Sequence, residues 1–430
     1  MEKIIQAMLF TGILLLSGCS ENNSLSDQNK VIKLWVAPNV TQEAFWKIAI
    51  DKWNKSGLGL PVSFTTIPAT GGAEEAILTA LVSGNAPDIS TNIFSGFAAQ
   101  LANLGQLQEL SSMNGYSQII EHRKMASIMK DWGLNGKQYI LPLYSNPVLI
   151  WWRSDILKDL GFEQVPQTYD EVYALSKKRA ALGNKFGLQV TAGKEWRDRW
   201  FDYISFYYAE GNGLPYIKDR EAQYDNDASL AVLTFIKTMF ENRWTALDFD
   251  SDDPLTTGLV AGAVHGPWDI SYYQKMFPEI LKKIAIGPMI KSTKNRPQNK
   301  SKTSTFADSK GLVLFKSSQV KAEAFAFINW VFMNDELSIL WLDKTGMPPA
   351  RGDLTTNKMF NDFYSTHPLG KAYASYVDVA VPPAFIEETI DVQKVMNVEM
   401  IGPVKFGIKN VKEAAKDAVI RTNKLLGWAK

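Results

Sequence analysis

From Val31 onward, short β-branched apolar runs alternate with segments whose apolar residues recur at helical spacing. That alternation predicts α/β layers built around parallel sheets. Val31-Ile32-Lys33-Leu34-Trp35-Val36 predicts a first strand, ended by Pro38 and Asn39. Phe45, Ile48, Ala49 and Trp53 then predict a helix that stops at Gly57 and Gly59. Pro61 to Ile67 predicts a second strand, Gly71-Gly72 to Leu81 a helix, and Asp88-Ile89-Ser90-Thr91 a third strand. Further on, Val148 to Trp152 predicts a strand that runs into a helix from Ser154. Thr168-Tyr169-Asp170-Glu171 has capping-box spacing, in which threonine and glutamate each satisfy a free backbone N–H at a helix start. Ala228 to Glu241 predicts another helix. Lys291 to Thr305 is polar and basic and is the best linker candidate in the body. Beyond it, Gly311 to Phe315 and Val320 to Met333 resume the strand–helix pattern, and the tail from Leu354 reads as helical. No repeat occurs at solenoid periods. A continuous α/β core, a polar crossing near residue 300 and a helical tail predict two lobes that share the chain more than once.

The N-terminus differs from the body. Met1-Glu2-Lys3 is followed by an apolar stretch from Ala7 to Leu16 and then Ser17-Gly18-Cys19. The stretch is about half of the roughly 20 residues a bilayer-spanning helix needs. A charged start, a short apolar run and small residues before a break describe a secretory signal peptide. Leu16-Ser17-Gly18-Cys19 resembles the bacterial lipoprotein cleavage box, which implies a signal over residues 1–18 and acyl chains on Cys19. Each buried CH2 of those chains contributes about 0.8 kcal/mol, so several chains anchor firmly. Residues 19–30 are expected to form a lipidated tether, Ser20 to Lys30 being polar except for Leu25. The protein is therefore expected outside the cytoplasm, lipid-anchored to a bacterial membrane.

Composition narrows the remaining choices. A chain of 430 residues has room for about two to three domains. With 46 Lys+Arg against 45 Asp+Glu the net charge is +1, which argues against a nucleic-acid partner, since phosphates call for a strongly basic face. Aromatic residues at 12% exclude a solvated coil. A single cysteine excludes an intrachain disulfide and a cysteine metal cluster.

Signatures of catalysis are missing from the sequence. His122, His265 and His367 are far apart and fit no metal-ligand spacing. Neither a Gly-x-Ser-x-Gly elbow nor a phosphate loop ending in Gly-Lys-Ser/Thr occurs. Asp248 to Asp253 starts like a calcium loop, but aspartate stands where the sharp turn needs glycine and Leu259 where a bidentate glutamate belongs. The many carboxylates single out no pair for glycoside hydrolysis. No metal, cofactor or enzymatic activity is expected.

Thirteen tryptophans remain. Trp46, Trp53 and Trp330 keep helical spacing with apolar neighbours and are expected in cores. Trp35, Trp151, Trp196, Trp200, Trp244 and Trp268 are expected at strand ends or in loops, where doubly wound α/β folds bind ligands. An indole offers a flat apolar surface to the C–H face of a sugar, and Asp, Asn or Arg can pair hydroxyls that would be costly to bury unpaired. Those tryptophans interleave with Asp88, Asn146, Arg197 and Asp269, a set suited to a carbohydrate.

Collinear motifs carry a family resemblance along nearly the whole chain. After the cysteine box and Ile32-Lys33-Leu34-Trp35 come Ala86-Pro87-Asp88-Ile89, Leu101-Ala102-Asn103-Leu104-Gly105-Gln106-Leu107 and Gly136-Lys137-Gln138-Tyr139-Ile140-Leu141-Pro142. Trp152-Arg153-Ser154-Asp155-Ile156-Leu157 and Pro166-Gln167-Thr168-Tyr169-Asp170-Glu171 follow. Gly266-Pro267-Trp268-Asp269, Ala324-Phe325-Ala326-Phe327-Ile328 and Gly346-Met347-Pro348-Pro349-Ala350-Arg351 complete the series. In this order they resemble the extracellular sugar-binding proteins of bacterial ABC importers, the maltose-binding-like family.

The resemblance implies an α/β, two-lobed periplasmic-binding-protein fold (type II, venus-flytrap) with hinge strands between the lobes. It implies residues 31–145 plus 302–347 in lobe 1 and 146–301 plus 348–430 in lobe 2. It places Trp268 against a sugar, Asn92 and Ser95 on hydroxyls, and Trp35, Asn146 and Arg351 along the cleft. Asp88, Trp196, Arg197 and Asp269 complete the expected site. His265 stands where an apolar residue is usual. The implied partners are a mono- or oligosaccharide and membrane permease subunits, and the protein is expected to be a monomer. Three rivals stay open: the same clamp for a non-sugar solute such as a phosphorylated polyol, an extracellular carbohydrate-active enzyme, and a surface adhesin or sensor partner.

Overall fold

The computed structural model describes residues 30–68, 72–190, 196–249, 251–295 and 302–428. Cys19 and the rest of the leader and tether up to residue 29 lie outside these. The fold has two α/β lobes, each built around its own sheet. In the first, β1 (Ile32–Val36) pairs in parallel with β2 (Val62–Thr66) and β3 (Ile89–Ile93). Ile32, Leu34 and Val36 are buried along β1, while Lys33 and Trp35 point the other way, as the two-residue period of a strand requires. Asn39 caps the helix Val40–Ser56 by accepting from the backbone N–H groups of Thr41 and Gln42. That helix buries Phe45, Trp46, Ala49 and Trp53.

A small hairpin, β4 (Gly133–Leu134) and β5 (Lys137–Gln138), leads to β6 (Ile140–Pro147), which runs straight on into β7 (Leu149–Arg153) of the second lobe. There β8 (Phe186–Leu188) pairs in parallel with β11 (Val260–His265), and β7 lies antiparallel to β11 and to β12 (Ile284–Gly287). Between them β9 (Ile217–Lys218) and β10 (Glu221–Ala222) form a second hairpin. The second sheet is thus mixed where parallel pairing was expected, because β7 enters directly from β6 with no helical crossover to turn it round. The predicted capping box at Thr168 is present, and Glu171 also accepts from the Gln167 N–H at 2.7 Å.

The chain returns through β13 (Thr305–Leu314), antiparallel to β3 and β6, and crosses a third time at β14 (Ala380–Val381), parallel to the start of β13. Three crossings therefore lie side by side. The Val148 N–H donates to Phe306 O at 3.0 Å and the Thr305 hydroxyl to Val148 O at 2.6 Å. The expected linker is less free than its composition suggests: Lys291 is buried and donates to Asn212 at 2.7 Å, and Thr303 and Thr305 are buried.

One hydrophobic core joins Trp46, Trp132, Phe327 and Trp341; another joins Trp152, Tyr203, Phe235 and Met396. Ala350, Leu354, Phe360 and Tyr364 belong to the first core, although the sequence reading puts residues 348–430 with the second lobe. The helix Pro368–Ala374 then ties the lobes, since the Tyr373 hydroxyl accepts from Trp151 Nε1 at 2.6 Å and donates to His265 O at 3.0 Å.

At Gly311 the register of β13 slips against both neighbours, and a Cβ there would run into the Leu141 carbonyl. Gly311→Ala is therefore expected to cost about 1–3 kcal/mol of stability, read by urea denaturation.

Candidate ligand-binding site

Gln189 follows β8, and His265 closes β11. Since the two strands are parallel, both residues lie at the carboxyl edge of the second sheet, the position where open α/β sheets take ligands. A cavity of about 480 Å³ opens there. The Gly266-Pro267 turn starts the helix Trp268–Met276 and sets Trp268 in the wall. A Cβ on residue 266 would overlap the Trp268 six-membered ring, so only glycine lets the indole fold back over the chain. Trp268 is half-buried, and Phe201 meets it edge-on with centroids 6.4 Å apart. Phe201 is in turn braced by Phe306 at 5.1 Å.

Polar groups surround this aromatic pair. His265 Nδ1 lies 2.8 Å from Asp269 Oδ2, one helical turn away. The His265 ring stacks on buried Trp151 at 4.7 Å. Asp253 accepts from the Leu255 and Thr256 N–H groups with one oxygen and from the Tyr273 hydroxyl with the other, at 2.5 Å. Burial, reinforced by Asp253, pushes the Tyr273 phenol far above its usual pKa. Asp202, Asp252 and exposed Arg197 complete the charged rim. Every lining residue comes from the second lobe, so the first lobe presents its own edge separately.

That edge gathers some of the expected residues and not others. Trp35 is half-buried on β1 against the first core. Asn92 is half-buried at φ 63° and accepts from Lys310 Nζ at 3.0 Å. Asn146 is 1% exposed on β6, and its Oδ1 has no partner. Trp196 opens the helix Trp196–Glu210, but its side chain lies outside the described set.

Three expectations need correction. Asp88 precedes β3 and so stands at the amino end of the parallel strands, away from the ligand edge; its oxygens accept from the Lys33 N–H at 2.7 Å and the Ser318 hydroxyl at 2.6 Å. Ser95 is fully buried and donates to Pro383 O at 3.0 Å, fastening the first lobe to the third crossing. Arg351 has no exposed side-chain surface. It makes a two-pronged contact to Asp353, pairs with Asp335 and lies over Phe360 at 4.8 Å. Trp151 and Trp200 are likewise core residues, and Trp244 packs half-buried beside Tyr173.

Phe201 and Asp202 line the cavity unforeseen, although the stretch around them is visibly aromatic. Most of its rings face the second core, and only the i, i+4 relation of Arg197 to Phe201 marks the outward side. Asp248 to Asp253 forms an ordinary capped turn where described. Among the described residues no group of three His, Cys, Asp or Glu side chains is placed to hold a metal ion.

A family model for bacterial extracellular solute-binding proteins matches residues 49–368. Among solved structures, an uncharacterized protein of Listeria monocytogenes EGD-e is 29% identical, with a TM-score of 0.86 over 92% of this chain and 99% of its own. A cyclic alpha-maltosyl-1,6-maltose binding protein from Arthrobacter globiformis is 16% identical, with a TM-score of 0.80 over 92% and 99%. The sugar-binding protein MalE of Xanthomonas citri is 17% identical, with a TM-score of 0.76 over 93% and 98%. The last two share the fold.

Removing Arg351 would leave Asp335 and Asp353 with less compensation. Burial opposes their ionisation, but the Arg351 hydrogen bonds and charge outweigh it and hold both carboxyls below the usual range. Their contribution to stability is thus full above about pH 4 and is lost as pH falls through the depressed values. Arg351→Ala is expected to cost about 3–5 kcal/mol at pH 7. Urea denaturation from pH 7 to 3 should also show a flatter acid limb in the variant.

Proposed function

The chain belongs to the bacterial extracellular solute-binding proteins, and from that premise we propose that it captures a mono- or oligosaccharide between its lobes and delivers it to an ABC permease. The observation that carries this reading is Trp268, a half-buried indole braced by Phe201 in a cavity edged with carboxylates. A sugar ring lies with its C–H face on the indole, and its hydroxyls donate to groups such as Asp269 and Asp202. Arg197 and His265 supply donors on the same wall. Trp35, Asn92 and Asn146 contribute the opposite wall from the first lobe.

A ligand held by both walls favours the closed arrangement and shifts the population toward it. The loaded form docks as a monomer on membrane permease subunits, whose ATPase partners supply the energy. The protein binds without chemistry and needs no cofactor. Two of the structural neighbours are named for carbohydrate ligands, a cyclic maltosyl-maltose and a sugar, which supports a carbohydrate over a phosphorylated polyol. The family is extracytoplasmic, and we place the anchor on Cys19, acylated after removal of residues 1–18.

Isothermal titration against maltose, maltotriose, cellobiose and raffinose tests the ligand class, and heat with at least one sugar is expected. Trp268→Ala should weaken that binding by about 1–3 kcal/mol and leave the melting temperature near wild type. Loss of stability with unchanged affinity would return Trp268 to a packing role. For the anchor, Cys19→Ala should move the protein from the membrane fraction to the soluble fraction on cell lysis.

A further inference from the structure

Where β6 and β13 cross between the lobes, Asn146 stands opposite Asp308, and Tyr144 opposite Lys310. The two-residue period puts all four side chains on one face of the strand pair. Lys310 reaches Asn92, the last residue but one of β3, and Gln42 sits in the first turn of the helix that follows β1. The face therefore looks onto the carboxyl edge of the parallel strands, where the first lobe borders the cleft.

Hydrogen bonding at this place is incomplete. Gln42 Oε1 and Asn146 Oδ1 are buried acceptors with no partner. Among the described residues the Asp308 carboxylate has neither a hydrogen bond nor an ion pair. Asp308 is only half-buried, so solvent still reaches it, yet desolvation raises its carboxyl pKa against the opposing charge of Lys310. The Tyr144 phenol is buried and feels both Gln42 and Asp308. Unpartnered buried acceptors are uncommon and costly, and each calls for a donor from elsewhere. Lys310 is spent in part on Asn92.

We propose that Asp308, with Gln42 and Asn146, forms the acceptor floor of the first-lobe half-site and selects a ligand that brings hydroxyl donors to it. This rests on the carbohydrate reading and deepens it. The Asp308 carboxylate accepts hydroxyls and repels phosphate or carboxylate, so it is a specificity-determining residue for a neutral sugar.

The test uses Asp308→Asn in the full chain with the tightest of the four sugars named above. Titration should show an affinity at least tenfold lower, with a melting temperature equal to or above wild type, because an unpaired half-buried charge has been removed. An affinity within twofold of wild type overturns the proposal, and so does a large fall in melting temperature, which marks a structural role. Monodeoxy forms of the same sugar give a second measurement that needs no variant. One of them should bind wild type at least tenfold more weakly, and uniform binding across the set overturns the proposal. Where the variant folds, that same deoxy sugar should lose little further affinity with it. If Trp268→Ala weakens the sugar and Asp308→Asn does not, this inference alone fails. If no sugar binds wild type, the carbohydrate reading fails and takes the inference with it.

Discussion

The hydrophobic cores of two lobes must be joined in one chain, and here the joint is made of backbone hydrogen bonds. Val148 and Phe306 pair across the crossing, Thr305 adds its hydroxyl, and Thr305 and Phe306 also pair with Ala380 and Val381. Buried backbone groups must be paired, so the strands cannot separate at low cost. Strand pairing holds its partners along the chain direction while a small change of dihedral angles swings whatever follows. Hinges of this kind absorb a domain movement in a few terminal residues. The two cores can thus stay close-packed while the surfaces between them change distance.

The same joint brings the chemistry together. β6 ends and β7 begins within two residues, so Asn146 of one wall and the Trp151–His265 stack beneath the other wall are fixed to one continuous strand run. Tyr373 adds a tie from a third segment, bonded at once to Trp151 and to the His265 carbonyl. His265 stands where an apolar residue was expected, and the structure supplies a physical reason. Its ring is stacked like an apolar residue on Trp151, while Nδ1 faces Asp269 at the cavity. One side chain does the packing of an aromatic and carries a polar edge as well.

Much of the fold was legible because periodicity is a local property. The first strand, the Val40–Ser56 helix, the capping box at Thr168 and the strand β7 follow from spacing that the structure repeats. The site was legible only in part, because a motif reports where a strand is and not what its side chains meet. Trp268 stands in the cavity because Gly266-Pro267 dictates a local turn. Asp88 lies next to the right strand at the wrong end, a distinction of five residues in sequence and a whole strand length in space. Arg351 reads as a cleft cation, but Asp335 and Asp353 claim it, and the first of these is sixteen positions away. Phe201 was visible only as one ring of an aromatic stretch and Asp308 not at all, since their meaning depends on partners in distant segments.

Acceptors on both walls would have a consequence for the proposed closure. With the lobes apart, water can donate to Asp308 on one side and to Asp202, Asp252 and Asp269 on the other. If the lobes met with nothing between them, these carboxylates would lose much of that water, and like charges would approach in a medium of lower dielectric. The empty closed state is disfavoured by that loss. On the proposed reading a sugar would change the sign of the balance, because its hydroxyls would replace the water and its ring would fill the space over the indole. Moving such an equilibrium from mostly open to mostly closed takes about 5.5 kcal/mol of preference for the closed form, which a stacked ring and a few hydroxyl bonds to charged acceptors can supply. Under that proposal specificity and closure would have one origin, a molecule that brings hydroxyls to both walls.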